Sequence, residues 1–263
     1  MTIHLRKENV PAASFRESQP VQNQLLATLT PETYARLKPH LRLESMLLQK
    51  SLYRPKESIT KAYFPTTALL SLISLLEDGT LTEIALVGNE GMMGLPIIWG
   101  GGATPNHAIV QFPGDVWVIE AEHLIEEFCR NGEFSKIIFL YMQAAFTQVA
   151  QNAMCNRQHT TEERLARWLL SVQDSVQKDE LTLTHEFMAK MLGIRRSSVT
   201  VSAGMLQQAG MIRYARGRLA ILDRSRLEDT ACECYSLVQS EYHRLLGSRA
   251  QRSHPEDLPI TIE

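Results

Sequence analysis

Residues 137–156, IIFLYMQAAFTQVAQNAMCN, run for twenty positions without a charge. Within the longer stretch Glu133 to Arg157, Phe134, Ile138, Met142, Ala145, Val149 and Ala153 recur at steps of three and four. That spacing draws one apolar stripe along a long helix. Ile137, Phe139, Leu140 and Phe146 widen the stripe beyond what one neighbour needs. Three Gln, two Asn and a Thr make the segment too polar to cross lipid. A helix of this kind needs partners on two sides. One is the chain's own fold, and a symmetry mate across a two-fold seam supplies the other; complete burial inside one chain is the competing reading.

The pattern changes on either side of this helix. Residues 24–48 read as helical, with Leu25, Leu26, Leu29, Leu37 and Leu41 spaced around a helix start at Thr30-Pro31. From about residue 50 the period shortens. SLYRP, KAYFP, ALLSLISLL, TLTEIALVG, HAIVQFPG and DVWVIEA are rich in β-branched and aromatic residues and are separated by Pro, Gly or Asp-Gly. Glu77-Asp78-Gly79-Thr80 signals a hairpin. Six strands at this spacing predict an antiparallel roll or barrel. A short helix follows over Ala121 to Phe128.

Beyond the long helix, Thr160-Thr161-Glu162-Glu163 resembles a capping box and opens a helix through Leu165, Trp168, Leu169 and Val172. Thr184 then caps a helix containing Phe187, Met188, Met191 and Leu192, which Gly193 stops. Val199, Ala203, Leu206 and Ala209 space a second helix that ends at Gly210. Two helices joined by a glycine turn form a helix-turn-helix pattern, and MIRYARGRLAILD, bending at Gly217, adds a wing.

Charge singles out this region. The chain sums to −2, yet residues 190–226 hold eight Lys or Arg against the single acid Asp223, leaving −9 for the remainder. One face is therefore built for a polyanion. Arg195, Arg196, Ser197, Ser198 and Thr200 stand at the amino end of the second helix, where base edges and the nearest phosphates of a duplex would lie. Arg213, Arg216 and Arg218 on the wing would contact the flanking backbone. The expected partner is double-stranded DNA. A sensor or interaction module that does not read DNA is the alternative, but protein contact alone does not require such a cluster. An enzyme of the metal-dependent β-roll type would need two or three converging histidines and an acid. The roll offers only His107, with His123 just after it.

The order of these parts resembles the Crp/Fnr family of bacterial transcription regulators from about residue 22 to 225. The resemblance rests on LYRPKESITKAYFPTTALLSLISLLEDGTLTEIALVGNEGMMG, on the long helix, and on MAKMLGIRRSSVTVSAGMLQQAGMI. The tail RGRLAILDRSRLEDTACECY is similar to a subgroup whose effectors are mostly unassigned. The resemblance implies an α+β chain: a flexible tail over 1–21, a cyclic-nucleotide-binding-like antiparallel β-roll over 22–130, and a dimerisation helix over 131–158. A winged helix-turn-helix over 159–226, a carboxy-terminal helix over 227–246 and a disordered tail over 247–263 complete it. It further implies a homodimer on a pseudo-palindromic promoter site, with RNA polymerase as a partner. The helix from Leu227 through Ala231, Cys234, Val238, Tyr242 and Leu245 would pack on its own winged domain.

Two departures limit what the resemblance carries over. In the recognition helix Arg196 matches the family's first arginine, but Ser197 replaces the following acid and Val201 the second arginine. In the roll, Gly88, Glu90 and Gly91 fall in the effector-binding neighbourhood, yet Asn106 and His107 stand where cyclic-AMP-binding members hold the phosphate with an arginine. No Lys or Arg occurs from Ala62 to Cys129, so a buried phosphate would lack its countercharge. Those five residues are the candidate effector pocket, cyclic AMP is not expected in the family's usual way, and no cofactor is indicated. Gly100-Gly101-Gly102 lacks the lysine of a P-loop. Cys129, Cys155, Cys232 and Cys234 form no CxxC pair and have no histidine at zinc spacing, so buried thiols without metal are expected. MTIHLRKENVPAASFRESQP has no signal-peptide core, which makes the cytoplasm the expected location.

Overall fold

A computed structural model describes residues 22–77 and 79–247. The tail expected to be flexible over 1–21, residues 248–263 of the tail expected to be disordered over 247–263, and Asp78 of the expected hairpin lie outside the described residues.

The chain enters through α1 (Gln24–Ala27) and α2 (Pro31–Leu37), followed by a 3-10 turn over Lys38–His40. Asn23 caps α1 and is wholly buried; its amide donates to the carbonyls of Pro65 and Gly91 at 2.9 Å each, tying the entry to the roll. Thr30 caps α2, with Pro31 in the first helical position where its missing N–H is harmless. The helical reading through residue 48 fails after His40. Arg42–Met46 is instead a strand, β1, because the segment pairs antiparallel with a later strand and buries Met46 at its end, while Leu43 stays exposed.

The roll continues with β2 (Ser51–Tyr53), β3 (Lys61–Pro65), β4 (Leu69–Leu75), β5 (Leu81–Val87), α3 (Leu95–Ile98), β6 (His107–Phe112) and β7 (Gly114–Glu120). Two antiparallel sheets, ordered β1-β7-β3 and β2-β6-β4-β5, enclose the first core. Pro65 is tolerated because β3 is an edge strand. The β4–β5 hairpin closes through Leu76 N–H to Thr80 O at 2.9 Å.

Next come α4 (Ala121–Cys129) and the 26-residue α5 (Glu133–Gln158), about 39 Å long at 1.5 Å per residue. Its inner face, including Phe134, Ile137, Ile138, Tyr141 and Ala144, is buried against the chain's own roll. The capping box at Thr160 and Glu163 starts α6 (Thr161–Val176). The winged part comprises β8 (Glu180–Thr182), α7 (His185–Leu192), α8 (Arg196–Gln208), β9 (Ile212–Ala215) and β10 (Arg218–Ile221). β8 adds a third strand to the wing sheet, in the order β8-β10-β9.

The carboxy-terminal segment is not one helix on the winged domain. It divides into α9 (Arg224–Thr230) and α10 (Cys234–Leu246), because Ala231 turns extended between them. Helix α10 then runs antiparallel back along α5: Cys234 lies near Cys155, Tyr242 near Tyr141, and Leu245 and Leu246 reach the roll core. A second core joins α6 through α9 to the outer residues Leu69, Ile73 and Leu86 of the roll. Sensor-like and winged parts therefore share packed surface. No described helix is long and apolar enough to cross a membrane.

Candidate nucleic-acid interface

Thr184 starts α7 by accepting the Phe187 N–H at 3.1 Å. Gly193 ends it at φ 63°, a left-handed conformation that favours glycine, and a Cβ there would also meet Thr82 Oγ1 at 2.6 Å. The turn thus fits closely against β5. Arg195 is the extended residue before α8 and its side chain makes no capping bond, so no N-cap side chain covers the first N–H groups of α8. Val199, Ser202, Ala203 and Leu206 bury one side of α8. Arg196, Ser197, Thr200, Val201 and Met205 are exposed, and Ser198 is half-buried.

The wing is fixed to this helix. Arg216 and Gly217, at φ 50° and 78°, form a two-residue turn between β9 and β10. Gln207 Oε1 accepts the Tyr214 N–H at 2.6 Å. His185 stacks on Tyr214 with ring centroids 4.2 Å apart, and its Nδ1 lies 3.0 Å from Thr200 Oγ1. The Thr200 hydroxyl donates to the Arg196 carbonyl at 3.1 Å, which leaves it accepting from a neutral His185 through Nδ1–H. Burial, with Arg196 nearby, holds the His185 pKa below its usual value. Within the chain, the Thr200 hydroxyl helps join α8 to the wing. Sequence spacing gave no sign of this trio, since residues 185, 200 and 214 lie on three separate elements.

The basic cluster sorts itself by partner. Lys190 pairs with Glu186 at 3.4 Å, Arg224 with Asp174 and Glu228, and Arg226 donates to the Ala209 carbonyl. These three serve the fold. Arg195, Arg196, Arg213, Arg216 and Arg218 are exposed, and none makes an ion pair among the described residues. Five free guanidiniums thus surround an open helix amino terminus and its wing, an arrangement suited to phosphates and base edges.

The effector candidates do not converge. A cleft of about 220 Å³ between the roll tip, α6 and α10 is lined by Glu90 but by none of Gly88, Gly91, Asn106 or His107. Gly88 and Gly91 are small because their turn packs tightly: a Cβ at 88 would meet Ser175 Oγ at 2.8 Å, and one at 91 would meet Tyr141 OH at 2.6 Å. Glu90 is half-buried and accepts the Gly88 N–H at 2.8 Å, and the desolvation of its carboxyl raises its pKa. His107 belongs to β6 and bonds Ser51 Oγ at 2.8 Å, while Asn106 bonds Thr104.

The stripe along α5 likewise divides. Phe134 and Ile138 are spent in the roll core and cannot contribute to a seam with a second copy. Met142 and Ala145 are half-buried, and Val149 and Ala153 are exposed. The free ridge runs through Phe139, Phe146, Val149, Ala153 and Met154, with Phe139 55% and Phe146 74% exposed. The period was legible, but the phase of the helix against the roll was not.

Two further features escaped sequence reading. Glu83 on β5 is buried with Ser71 Oγ–H and the Trp168 indole N–H donating to it at 2.8 and 2.9 Å, a polar strut between roll and α6. The four cysteines are not separate buried thiols either: Cys129 is exposed, while Cys155, Cys232, Cys234 and His159 come together. The available signal was Cys155 four residues before His159 at a helix end, and the long gap to residue 232 hid it.

Residues 163–230 match the Crp-like helix-turn-helix domain. This chain carries a Crp-like helix-turn-helix. Solved chains that match over about three quarters of this chain agree, 287 of them in all. A Crp/Fnr regulator from Eubacterium rectale aligns with a TM-score of 0.63 at 20% identity, over 77% of this chain and 94% of that one. FixK2 from Bradyrhizobium japonicum gives 0.63 at 16%, over 73% and 98%. The c-di-GMP responsive global regulator CLP from Xanthomonas campestris gives 0.60 at 13%, over 73% and 99%. No curated protein matches the chain. The fold is that of the Crp/Fnr-type regulators among these solved structures.

Proposed function

We propose that this Crp-like protein is a homodimeric transcription regulator that reads a pseudo-palindromic promoter site in double-stranded DNA. The observation that carries the reading is the set of five unpaired arginines around the open amino terminus of α8 and the wing. Arg196 would fork onto a guanine, Ser197 and the α8 amino terminus would hold the nearest phosphate, and Arg213, Arg216 and Arg218 would grip the flanking backbone. Val201, 63% exposed on the same stripe, suits a thymine methyl, so the half-site differs from that of relatives with arginine there.

The free ridge on α5 supports the dimer: Phe139, Phe146 and Val149 are long apolar side chains that their own roll and α10 leave uncovered. Two recognition helices would then need to sit about 34 Å apart to enter successive major grooves. An effector acting in the roll would work by shifting the population toward that spacing. Cyclic AMP is a poor fit, because residues 62–129 offer its phosphate no Lys or Arg. The proposed setting is the cytoplasm, with RNA polymerase as the partner at the promoter.

The test is selection from a randomised duplex pool by the ligand-free dimer, repeated with cyclic AMP, then Arg196→Ala on the selected site. A two-fold symmetric motif should be enriched without nucleotide. The variant should lose about 1–3 kcal/mol on the selected site and far less on random DNA. Equal losses on both would show that Arg196 reads no base.

A further inference from the structure

Cys155 and His159 lie one turn apart at the end of α5, and Cys232 and Cys234 flank the bend that leads from α9 into α10. Their four ligand atoms lie within 4.8 Å of one another. Cys155 Sγ is 3.5 Å from Cys232 Sγ, and Cys234 Sγ is 3.6 Å from His159 Nδ1. A single tetrahedral ion, bound at about 2.3 Å by sulfur and about 2.0 Å by nitrogen, sets its donors roughly 3.5–3.8 Å apart. The three thiols are buried, none is in a disulfide, and they form a cluster of their own outside both hydrophobic cores. They are therefore not filler of a larger apolar interior.

Two independent features surround these four groups. The outer nitrogen of the ring, His159 Nε2, lies 3.2 Å from Glu233 Oε2. A carboxylate there fixes the tautomer that leaves Nδ1 as a free electron-pair donor toward the thiols, which is the usual arrangement behind a metal-bound histidine. Arg164 and Arg167 supply positive charge on the other side: both act on Cys155, and the Nε of each is buried without a hydrogen-bond partner among the described residues. Three thiolates around a divalent ion leave one negative charge, which guanidiniums in this position offset.

We infer that Cys155, His159, Cys232 and Cys234 form a closed Cys₃His site for a zinc-class divalent cation. Binding releases the three thiol protons to water while the ion gives up its bound waters, and nothing is oxidised or reduced. Three thiolates and an imidazole suit a borderline-soft ion and disfavour magnesium or calcium, which take oxygen ligands. Donors this close suit one ion, and with four protein ligands no position is left open for a substrate, so the site is structural. Its place gives it a mechanical role. His159 ends α5 and Thr160 begins α6, so an ion here pins the joint between the long helix and the DNA-reading domain to the start of α10. This inference does not depend on how DNA is read.

The experiment uses the full chain, purified under reducing conditions and stripped by chelator, then titrated with Co²⁺ and Zn²⁺. Cobalt should bind at about one ion per chain and show the intense visible bands and thiolate charge transfer of tetrahedral sulfur-rich coordination; zinc should bleach both. Cys234→Ser should lose the charge-transfer intensity of one thiolate and most of the affinity. Glu233→Gln touches only a surface carboxylate that supports the ring, so the chain folds and affinity falls about 10–100-fold without change in stoichiometry. A folded wild-type chain that takes up no cobalt, one that binds it with octahedral spectra, or a mass spectrum showing Cys155 and Cys232 joined as a disulfide in the reductant-free protein with no metal uptake, each overturns the site.

Discussion

Replacing Glu83 with Gln should stabilise the protein at pH 8 and have a much smaller effect at pH 5. The Glu83 side chain is buried where β5 meets α6. The Ser71 hydroxyl, the Trp168 indole and the charge of Arg167 all favour its ionised form, yet burial outweighs them and pushes its pKa from 4.5 up to about 7. In the unfolded chain the same carboxyl ionises near 4.5. Between those values the folded protein keeps a proton that the unfolded chain has lost. The stabilisation is therefore complete below pH 4.5 and disappears as pH rises through 7. At 1.36 kcal/mol per pH unit the full span is worth about 3 kcal/mol. Glutamine is neutral throughout and keeps an acceptor for the Trp168 N–H. Urea unfolding of both proteins at several pH values isolates the effect, because all other titrating groups cancel in the difference. The gap between them should widen by about 2–3 kcal/mol from pH 5 to pH 8. A gap that stays constant over this range would refute the buried-proton account. The strut joins roll to α6, so the same titration should loosen the contact between the two parts.

Other expectations follow from the free groups of the interface and the uncovered helix face. Arg216→Ala should weaken specific and random DNA alike and reduce the log–log salt slope by about one per subunit, measured by fluorescence anisotropy at several ionic strengths; an unchanged slope would remove Arg216 from the phosphate contacts. Phe146→Glu places a charge on a side chain that is 74% exposed in one chain, so the single subunit should fold normally. Light scattering should then show a monomer, since each buried phenylalanine withdrawn from a seam removes about 1.5–3 kcal/mol; a dimer that survives would put the seam elsewhere.

Local signals carried much of the architecture. The caps at Thr30, Thr160 and Thr184 and the stop at Gly193 are encoded within four residues of where they act. The Arg216-Gly217 turn and the uncharged α5 are equally local, so the helix-turn-helix, the wing and the long helix could be placed from residue order. The five arginines were legible for the same reason, because charge density needs no tertiary partner to be counted. Local pattern misled where two periods compete over a short span. Leu41 to Leu48 carries enough leucine to look helical, and only pairing with β7 makes Arg42–Met46 a strand.

The sequence by itself determined the parts and their chemistry: a β-roll, an apolar helix, a basic winged helix-turn-helix and an acidic remainder. The tertiary structure decided which atoms meet. It turned Phe134 and Ile138 inward and Phe139 and Phe146 outward, folded α10 back along α5, and separated Glu90 from His107. It also gathered Cys155 and His159 with Cys232 and Cys234 across 77 residues of chain. Periodicity fixes which residues share a face. The direction that face takes, and the partner it finds, depend on packing between segments far apart in the chain, and no local spacing records that.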